Sequence, residues 1–190
     1  MIVPLVLVIL GSETDEEAFA LSKAPDILDF VLGKNRGKRR WKLCYISADR
    51  DRETLERYCP GCYGEGTKVF IGVAGLSPAL PGAIRSVLPK DATVIGVPLG
   101  SNAYEMDKGL LDLTNKPFGS GVVVVGAGKT GLGNAALEAC RSVAQTKGRT
   151  SAGVRRRLLA WYEQLAVSKQ PQIDVNVDEV LRKHRKEVKA

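Results

Sequence analysis

Three short polar loops carry the residues of this chain that could do chemistry. They cover residues 11–15 (Gly-Ser-Glu-Thr-Asp), 47–50 (Ser-Ala-Asp-Arg) and 74–82 (Ala-Gly-Leu-Ser-Pro-Ala-Leu-Pro-Gly), and each follows an apolar segment. Hydroxyls, backbone N–H groups and an arginine suit a phosphate, whereas carboxylates accept from sugar hydroxyls or carry a proton. The loops therefore predict a phosphate-and-sugar site at the ends of parallel strands, with the carboxylate of Asp49 where a catalytic base would stand.

The first loop offers two hydroxyls and one carboxylate. Ser12 and Thr14 are predicted to donate to an anion at the start of the following helix, and Asp15 is predicted to accept from ribose hydroxyls. A purely structural interpretation stays open, because Thr14 and Glu17 have the spacing of a capping box that would only close the helix end.

The second loop repeats this arrangement after the next apolar segment. The Arg50 guanidinium could hold a phosphate through two parallel hydrogen bonds, and Ser47 adds a hydroxyl. Asp49 could serve as a base, and the alternative is that its carboxylate caps the following helix.

Short apolar segments alternate with helical ones along residues 2–145. The predicted strands cover residues 2–10, 41–46, 68–73, 93–97 and 121–125. The predicted helices cover residues 16–32, 52–58, 80–88, 106–113 and about 130–145. Strands that are apolar throughout are typical of a parallel sheet covered on both faces, so we predict an α/β fold with ligands at the carboxyl ends of the strands.

The last 40 residues follow a different pattern. Val154, Leu158, Trp161, Tyr162 and Leu165 form one apolar stripe at helical spacing. Thr150 or Ser151 could cap this helix, Pro171 would end it, and residues 174–189 form a weaker, charged helix. We therefore divide the chain into a nucleotide-binding α/β domain (residues 1–148) and a C-terminal helical extension (residues 149–190) that packs on a neighbouring subunit.

Composition and charge indicate a globular cytoplasmic protein. The apolar run at residues 2–10 is too short to span a bilayer and lacks the flanks of a signal peptide, so no membrane segment is expected. The net charge of +7 comes from residues 141–190, where 12 Lys and Arg accompany 5 Asp and Glu. A further basic cluster covers residues 34–42, but no aromatic-interleaved groove accompanies either, so solvated basic surfaces are favoured over nucleic-acid binding.

Two glycine-rich motifs resemble nucleotide-binding sequences, but each departs from the pattern that such a site requires. Residues 126–131 match G-x-G-x-x-G, but a dinucleotide site needs this motif in the first βα unit. Lys129 and Thr130 imitate a phosphate-binding loop, but that motif would need glycine where Val123 stands. We therefore predict no dinucleotide cofactor and no kinase or ATPase activity.

The cysteines and the single histidine give no catalytic constellation. Cys59 and Cys62 form one C-x-x-C without the second pair that zinc usually requires, so loop thiols or a labile disulfide are favoured over a metal site shared between subunits. His184 lies in the basic tail, which excludes a Ser-His-Asp or Cys-His site in the core of one chain. No metal and no cofactor is predicted.

Five segments, in order, resemble the PurE family of N5-carboxyaminoimidazole ribonucleotide mutases and aminoimidazole ribonucleotide (AIR) carboxylases. Residues 11–15 resemble the family's G-S-x-S-D, residues 47–50 its S-A-H-R, and residues 74–82 its A-G-G-A-A-H-L-P-G. Residues 96–98 match G-V-P, and residues 128–137 resemble G-K-A-G-A-A-N-A-A-L. One such loop is weakly specific, whereas five in order are strongly so, and the resemblance covers about residues 5–165.

The resemblance implies a three-layer αβα flavodoxin-like fold, a homo-octamer that exchanges C-terminal helices, and a division of labour in the site. Ser12, Thr14, Ser47 and Arg50 would hold the 5′-phosphate and Asp15 the ribose. The third loop would close over the imidazole through the backbone of Ala74, Gly75, Leu76 and Ser77. Lys129 and Asn134 would support that loop from behind.

Both histidines of the family pattern are replaced in this chain. Asp49 replaces the S-A-H-R histidine, which in the family moves a proton at the imidazole carbon that gains or loses CO2, and Ala79 replaces the second histidine. The first hypothesis is a PurE-type enzyme acting on (carboxy)aminoimidazole ribonucleotide by carboxylate transfer or (de)carboxylation, with Asp49 carrying the proton. The alternative is a non-catalytic or re-purposed ribonucleotide-binding paralogue. Substrate, reaction direction and the purpose of the Cys59–Cys62 pair stay open.

Overall fold

A five-stranded parallel sheet forms the centre of the protein. The computed structural model describes residues 3–75, 78–117 and 119–166. The strands are β1 (Val6–Leu10), β2 (Lys34–Asn35), β3 (Lys38–Arg39), β4 (Trp41–Tyr45), β5 (Val69–Ala74), β6 (Thr93–Pro98) and β7 (Val122–Val124). The helices are α1 (Glu16–Ala20), α2 (Ala24–Leu32), α3 (Arg52–Glu65), α4 (Ala79–Val87), α5 (Ala103–Thr114), α6 (Gly128–Gln145) and α7 (Arg149–Ala166).

The strand order β4-β1-β5-β6-β7 defines the topology, and all four neighbouring pairs are parallel. Side chains of β1 alternate between two cores, so that Val6 and Val8 pack with α2, α6 and α7 on one face. Leu7 and Ile9 pack with α3 and α4 on the other face. The predicted three-layer αβα flavodoxin-like fold is confirmed.

Some predicted helix and strand boundaries differ from those in the structure, chiefly where a hydrogen-bonding side chain or a proline ends or begins a helix. The predicted helix over residues 16–32 is two helices, because Ser22 Oγ donates to the Phe19 carbonyl (2.7 Å) and accepts from the Ala24 N–H (3.1 Å). Pro25 then lies in the first turn of α2, where its missing N–H costs nothing. The short β2–β3 hairpin was not predicted; it turns through Arg36 and Gly37, both with positive φ.

The Cys-Pro-Gly-Cys segment lies inside a helix, and the prediction of loop thiols or a labile disulfide is wrong. α3 runs to Glu65, seven residues past its predicted end, and includes Pro60. Cys59 and Cys62 are both buried and both free thiols. Their pKa values are raised by burial, to about 12 for Cys59. Burial of this apolar helix face against the sheet outweighs the hydrogen bond that Pro60 cannot donate.

The apolar stripe of α7 packs within its own chain. Val154 and Leu158 join the core beneath α2 and α6, and the Trp161 ring lies 5.5 Å from that of Phe30. Residues 167–190, including His184 and the second predicted helix, lie outside the described residues. The division at residue 148 and the packing of the extension on a neighbouring subunit stay predictions. No helix in the described part of the chain is both long and apolar enough to cross a membrane.

Candidate active site

The three polar loops meet in one cleft at the carboxyl ends of the strands. Strand order reverses between β1 and β5, and a crevice opens at such a point in a doubly wound sheet. The cleft has a volume of about 470 Å³. It is lined by all predicted residues of these loops that the structure describes: Ser12, Thr14, Asp15, Ser47, Asp49, Arg50, Ala74 and Gly75. Leu76 and Ser77 lie outside the described residues.

The first loop is a compact turn held by local hydrogen bonds. The Gly11 N–H donates to the Val73 carbonyl (2.9 Å), which ties the end of β1 to β5. Ser12 Oγ accepts from the Thr14 N–H (3.2 Å) and lies 2.9 Å from Thr14 Oγ1. The capping box of Thr14 with Glu17 does not form, since Ser12 caps a 3-10 turn that precedes α1. The two hydroxyls are therefore paired with each other at the mouth of the cleft.

The second loop holds its shape without the Asp49 side chain. The Ser47 N–H donates to Asp51 Oδ2 (3.2 Å), and the Arg50 N–H donates to Ser47 Oγ (3.3 Å). The N-cap position of α3 belongs to Asp51, so the alternative that Asp49 caps the helix is wrong. Among the described residues, the side chains of Asp49 and Arg50 have no hydrogen-bond or ion-pair partner, and both are exposed. Both charges are therefore available to a ligand.

Asp15 is the buried carboxylate of the cleft. The residue is 7% exposed, and burial raises the pKa of its carboxyl group, while a backbone hydrogen bond from Ser12 partly offsets that shift. Its oxygens lie between two glycines, because a Cβ at Gly11 or at Gly75 would stand 3.8 Å from one of them. Bare backbone on both sides leaves the carboxylate reachable from the cleft, as a contact with sugar hydroxyls requires.

Replacing Asp15 by Asn is expected to change the pH dependence of stability. An acid with a raised folded-state pKa stabilises the fold at low pH, and that stability is lost as pH rises from its ordinary value of 3.8 through the raised value. The Asn variant cannot ionise and does not lose this stability. Its free energy of unfolding in urea, relative to that of wild type, should therefore increase from pH 3.5 to pH 7. The exposed Asp107→Asn variant serves as control, and an equal gain there would contradict the assignment.

A second cavity adjoins the cleft and contains residues that sequence reasoning missed. Its volume is about 650 Å³, and it shares Thr14, Asp15 and Gly75 with the cleft. Lys129 lines this cavity, and so does Glu105, whose carboxylate accepts from the N–H (2.8 Å) and hydroxyl (2.7 Å) of Ser101. These bonds lower the pKa of Glu105. The N-cap signal of an Asn three residues before a Glu could have found this turn.

The other predicted supporting residue acts on the loop after β7. Asn134 Nδ2 donates to the Val125 carbonyl (3.1 Å), which fixes the entry into α6 and so the position of Lys129. Asn134 does not line the cleft itself. Within the described ranges, no group of three or more His, Cys, Asp or Glu side chains could hold a metal ion.

Known proteins that resemble this chain match it over most of the described residues. The family model described as AIR carboxylase matches residues 5–165. The N5-carboxyaminoimidazole ribonucleotide mutase of Brucella melitensis is 34% identical over 139 residues, covering 73% of this chain and 80% of that protein. The mutase of Bacillus subtilis is 35% identical over 140 residues, covering 73% and 79%.

The fold is also found among solved structures. The crystal structure of Treponema denticola PurE aligns with a TM-score of 0.70 at 20% identity and covers 87% of this chain and 93% of that one. The parallel sheet with its cleft at the β1/β5 reversal defines a flavodoxin-like α/β protein. Given the family match over residues 5–165, the chain belongs to the AIR carboxylase family.

Proposed function

We propose that this protein is a PurE-type enzyme of purine biosynthesis, working in the cytoplasm on aminoimidazole ribonucleotide and its carboxylated forms. Membership of the AIR carboxylase family supports this, as do the relatives named as mutases. The observation that carries the proposal is the convergence, in one cleft, of an unpaired arginine, paired hydroxyls, a buried carboxylate and a free carboxylate. The enzyme names of the relatives favour catalysis over a non-catalytic paralogue.

The cleft suggests a role for each side chain. The Arg50 guanidinium and the hydroxyls of Ser12, Thr14 and Ser47 hold the 5′-phosphate, and Asp15 accepts from the ribose hydroxyls. The end of β5 and the loop that follows it lie over the imidazole, through the backbone at Ala74 and Gly75 and, as predicted, at Leu76 and Ser77.

Asp49 is the proton carrier in this proposal. During decarboxylation the bond between the imidazole carbon and the carboxylate breaks, CO2 leaves with its oxygens, and Asp49 delivers a proton to the carbon. During carboxylation the new carbon–carbon bond forms first, and the Asp49 carboxylate then removes the proton from the same carbon. The Asp49 side chain has no partner among the described residues, so it is free to transfer the proton in both the carboxylation and the decarboxylation direction.

A homo-oligomer, an octamer of this chain, completes the proposal. Leu159 and Tyr162 give α7 an exposed apolar side after Val154 and Leu158 are buried, and such a surface suits contact between subunits. Light scattering on the full-length protein should give the mass of eight chains of 20.5 kDa. A monomer mass would contradict the oligomer and leave the chemistry of the cleft unaffected.

Removing the Arg50 charge tests the substrate assignment. Arg50→Gln should raise KM for carboxyaminoimidazole ribonucleotide by about 10- to 100-fold, because a charge-assisted hydrogen bond contributes about 1.5–3 kcal/mol. The measurement is ultraviolet detection of substrate consumption. Arg57→Gln removes the same charge from an exposed position on α3 outside the cleft and should leave KM within about twofold, on the ordinary size of surface charge effects.

Direct binding separates the substrate from the reaction. Calorimetric titration with aminoimidazole ribonucleotide should show one site per chain in the wild type and weaker binding in Arg50→Gln. Absence of binding at millimolar ligand would overturn the proposed substrate. Binding without turnover would instead favour the ribonucleotide-binding paralogue.

A further inference from the structure

A small, strongly basic pocket lies at the opposite edge of the sheet from the cleft. Its volume is about 270 Å³, and four cations line it: Lys34, Arg40, Arg149 and Arg157. Lys34 follows α2 and Arg40 precedes β4, so both stand at the amino ends of the strands. Among the residues that the structure describes, no carboxylate lines the pocket. Two basic segments that are far apart in the sequence, residues 34–42 and 155–157, thus meet here.

Arg157 is fixed at the wall of this pocket. Its Nε donates to the Val31 carbonyl (2.8 Å) and its Nη2 to the Leu32 carbonyl (2.9 Å) at the end of α2. A Cβ at Gly33 would stand 3.3 Å from the guanidinium carbon, and one at Gly153 would stand 3.4 Å from Nη1. Two bare backbone positions therefore flank the guanidinium, and Nη1 keeps its donors for a ligand.

The positive charges around the pocket are not neutralised by any side chain in the described part of the chain. The side chains of Lys34, Arg40 and Arg149 have no hydrogen bond or ion pair among the described residues. Asp29 is the carboxylate near Lys34, and it is already held by Arg39 through three hydrogen bonds and by Trp41 Nε1 (2.7 Å).

The shift in the pKa of Arg157 is consistent with unneutralised positive charges around the pocket. It is lowered, first by burial and then by repulsion from Arg40 and Arg156. Like charges held this close destabilise the unliganded pocket, and an anion between them would relieve the repulsion.

The side chains that line the pocket indicate which class of anion it would bind. Arginine guanidinium groups match the oxygens of a phosphoryl group in pairs, and four cations suit a group that carries more than one negative charge. The first turn of α7 adds the hydroxyl of Thr150 and the positive end of an 18-residue helix.

We propose that this pocket is a second anion site, separate from the cleft, that binds a phosphoryl group, either free or at the end of a small molecule. The pocket is small, so the phosphates enter it and any attached organic group stays at its rim. The site does not depend on the function proposed for the cleft, because the two share no lining residue.

Calorimetric titration of the full-length Arg50→Gln protein with inorganic triphosphate at low ionic strength tests this site. The Arg50→Gln background weakens phosphate binding in the cleft, so one site per chain should remain. Arg40→Gln and Arg149→Gln should each weaken it by about tenfold, as loss of a charge-assisted hydrogen bond predicts. Lys90→Gln, which removes one exposed positive charge away from the pocket, should leave the affinity within about twofold.

Three outcomes would overturn the proposal: no remaining site in the Arg50→Gln background, an equal loss in Lys90→Gln, or unchanged affinity in both arginine variants. Adenosine triphosphate separates the two sources of the phosphoryl group. Affinity equal to that of triphosphate supports a site for phosphates alone, and tighter binding supports a nucleotide whose phosphates occupy the pocket. Thermal unfolding of each variant checks the fold, and none of the mutated side chains has a partner among the described residues.

Discussion

The Asp49→Asn variant is expected to lose most of its turnover of carboxyaminoimidazole ribonucleotide, with kcat falling by about 10²- to 10⁴-fold, the usual contribution of a general acid or base. Asparagine keeps the size and shape of the side chain, but its amide cannot take up or deliver the proton at the imidazole carbon. The fold should be unaffected, because the second loop is held by Ser47 and Asp51 rather than by Asp49. KM should change little, since Arg50 and Asp15 remain.

Two further variants make that result specific. Asp107→Asn, at an exposed position on α5, controls for the loss of one negative charge and should retain wild-type turnover. Asp49→His introduces the residue of the family motif, and it should be active because its imidazole can carry the same proton. Asp49→Asn with turnover close to wild type would rule Asp49 out as the proton carrier. A silent wild type with an active Asp49→His would favour the re-purposed paralogue.

The position of the cleft could be predicted because parallel strands place all their carboxyl ends at one edge. Residues 11–15 and 47–50 follow strands, and residues 74–75 lie at the end of β5, so the sequence pattern alone brings them together once the sheet is parallel. Hydroxyls and carboxylates that follow a strand serve both ligand binding and helix capping, so their sequence positions do not separate the two roles. In the folded chain Asp51, rather than Asp49, occupies the N-cap position of α3.

The parts that sequence reasoning missed depend on tertiary packing. Pro60 and Gly61 predict a loop, yet α3 continues through them because Leu55, Cys59 and Cys62 bury one face against the sheet. Burial of Asp15 was equally invisible, since a carboxylate in a polar loop is usually solvated. Glu105 was missed because its turn contains none of the residues that carried the resemblance, although it lines the adjoining cavity.

Gly131→Ala is expected to destabilise the protein by about 1–3 kcal/mol, the usual cost of overpacking a well-packed site. A Cβ at residue 131 would lie 2.5 Å from the carbonyl carbon of Gly126 and 2.6 Å from its oxygen, and 3.3 Å from Val97 Cγ1. Backbone atoms cannot rotate away as a side chain would, so the loop after β7 must shift. That shift moves Lys129 and strains the hydrogen bond from Asn134 to Val125, so turnover should also fall.

Gly133→Ala is the matched control, two residues further along the same helix. There, among the described residues, a Cβ would meet only Lys23 Cβ at 3.8 Å, an ordinary contact. Removing a glycine from a helix interior stabilises it by about 0.5–1 kcal/mol, so the two substitutions should move the free energy of unfolding in opposite directions. Urea unfolding at one protein concentration measures both. A stabilised Gly131→Ala would show that the loop yields at little cost, and that close packing on Gly126 does not position Lys129.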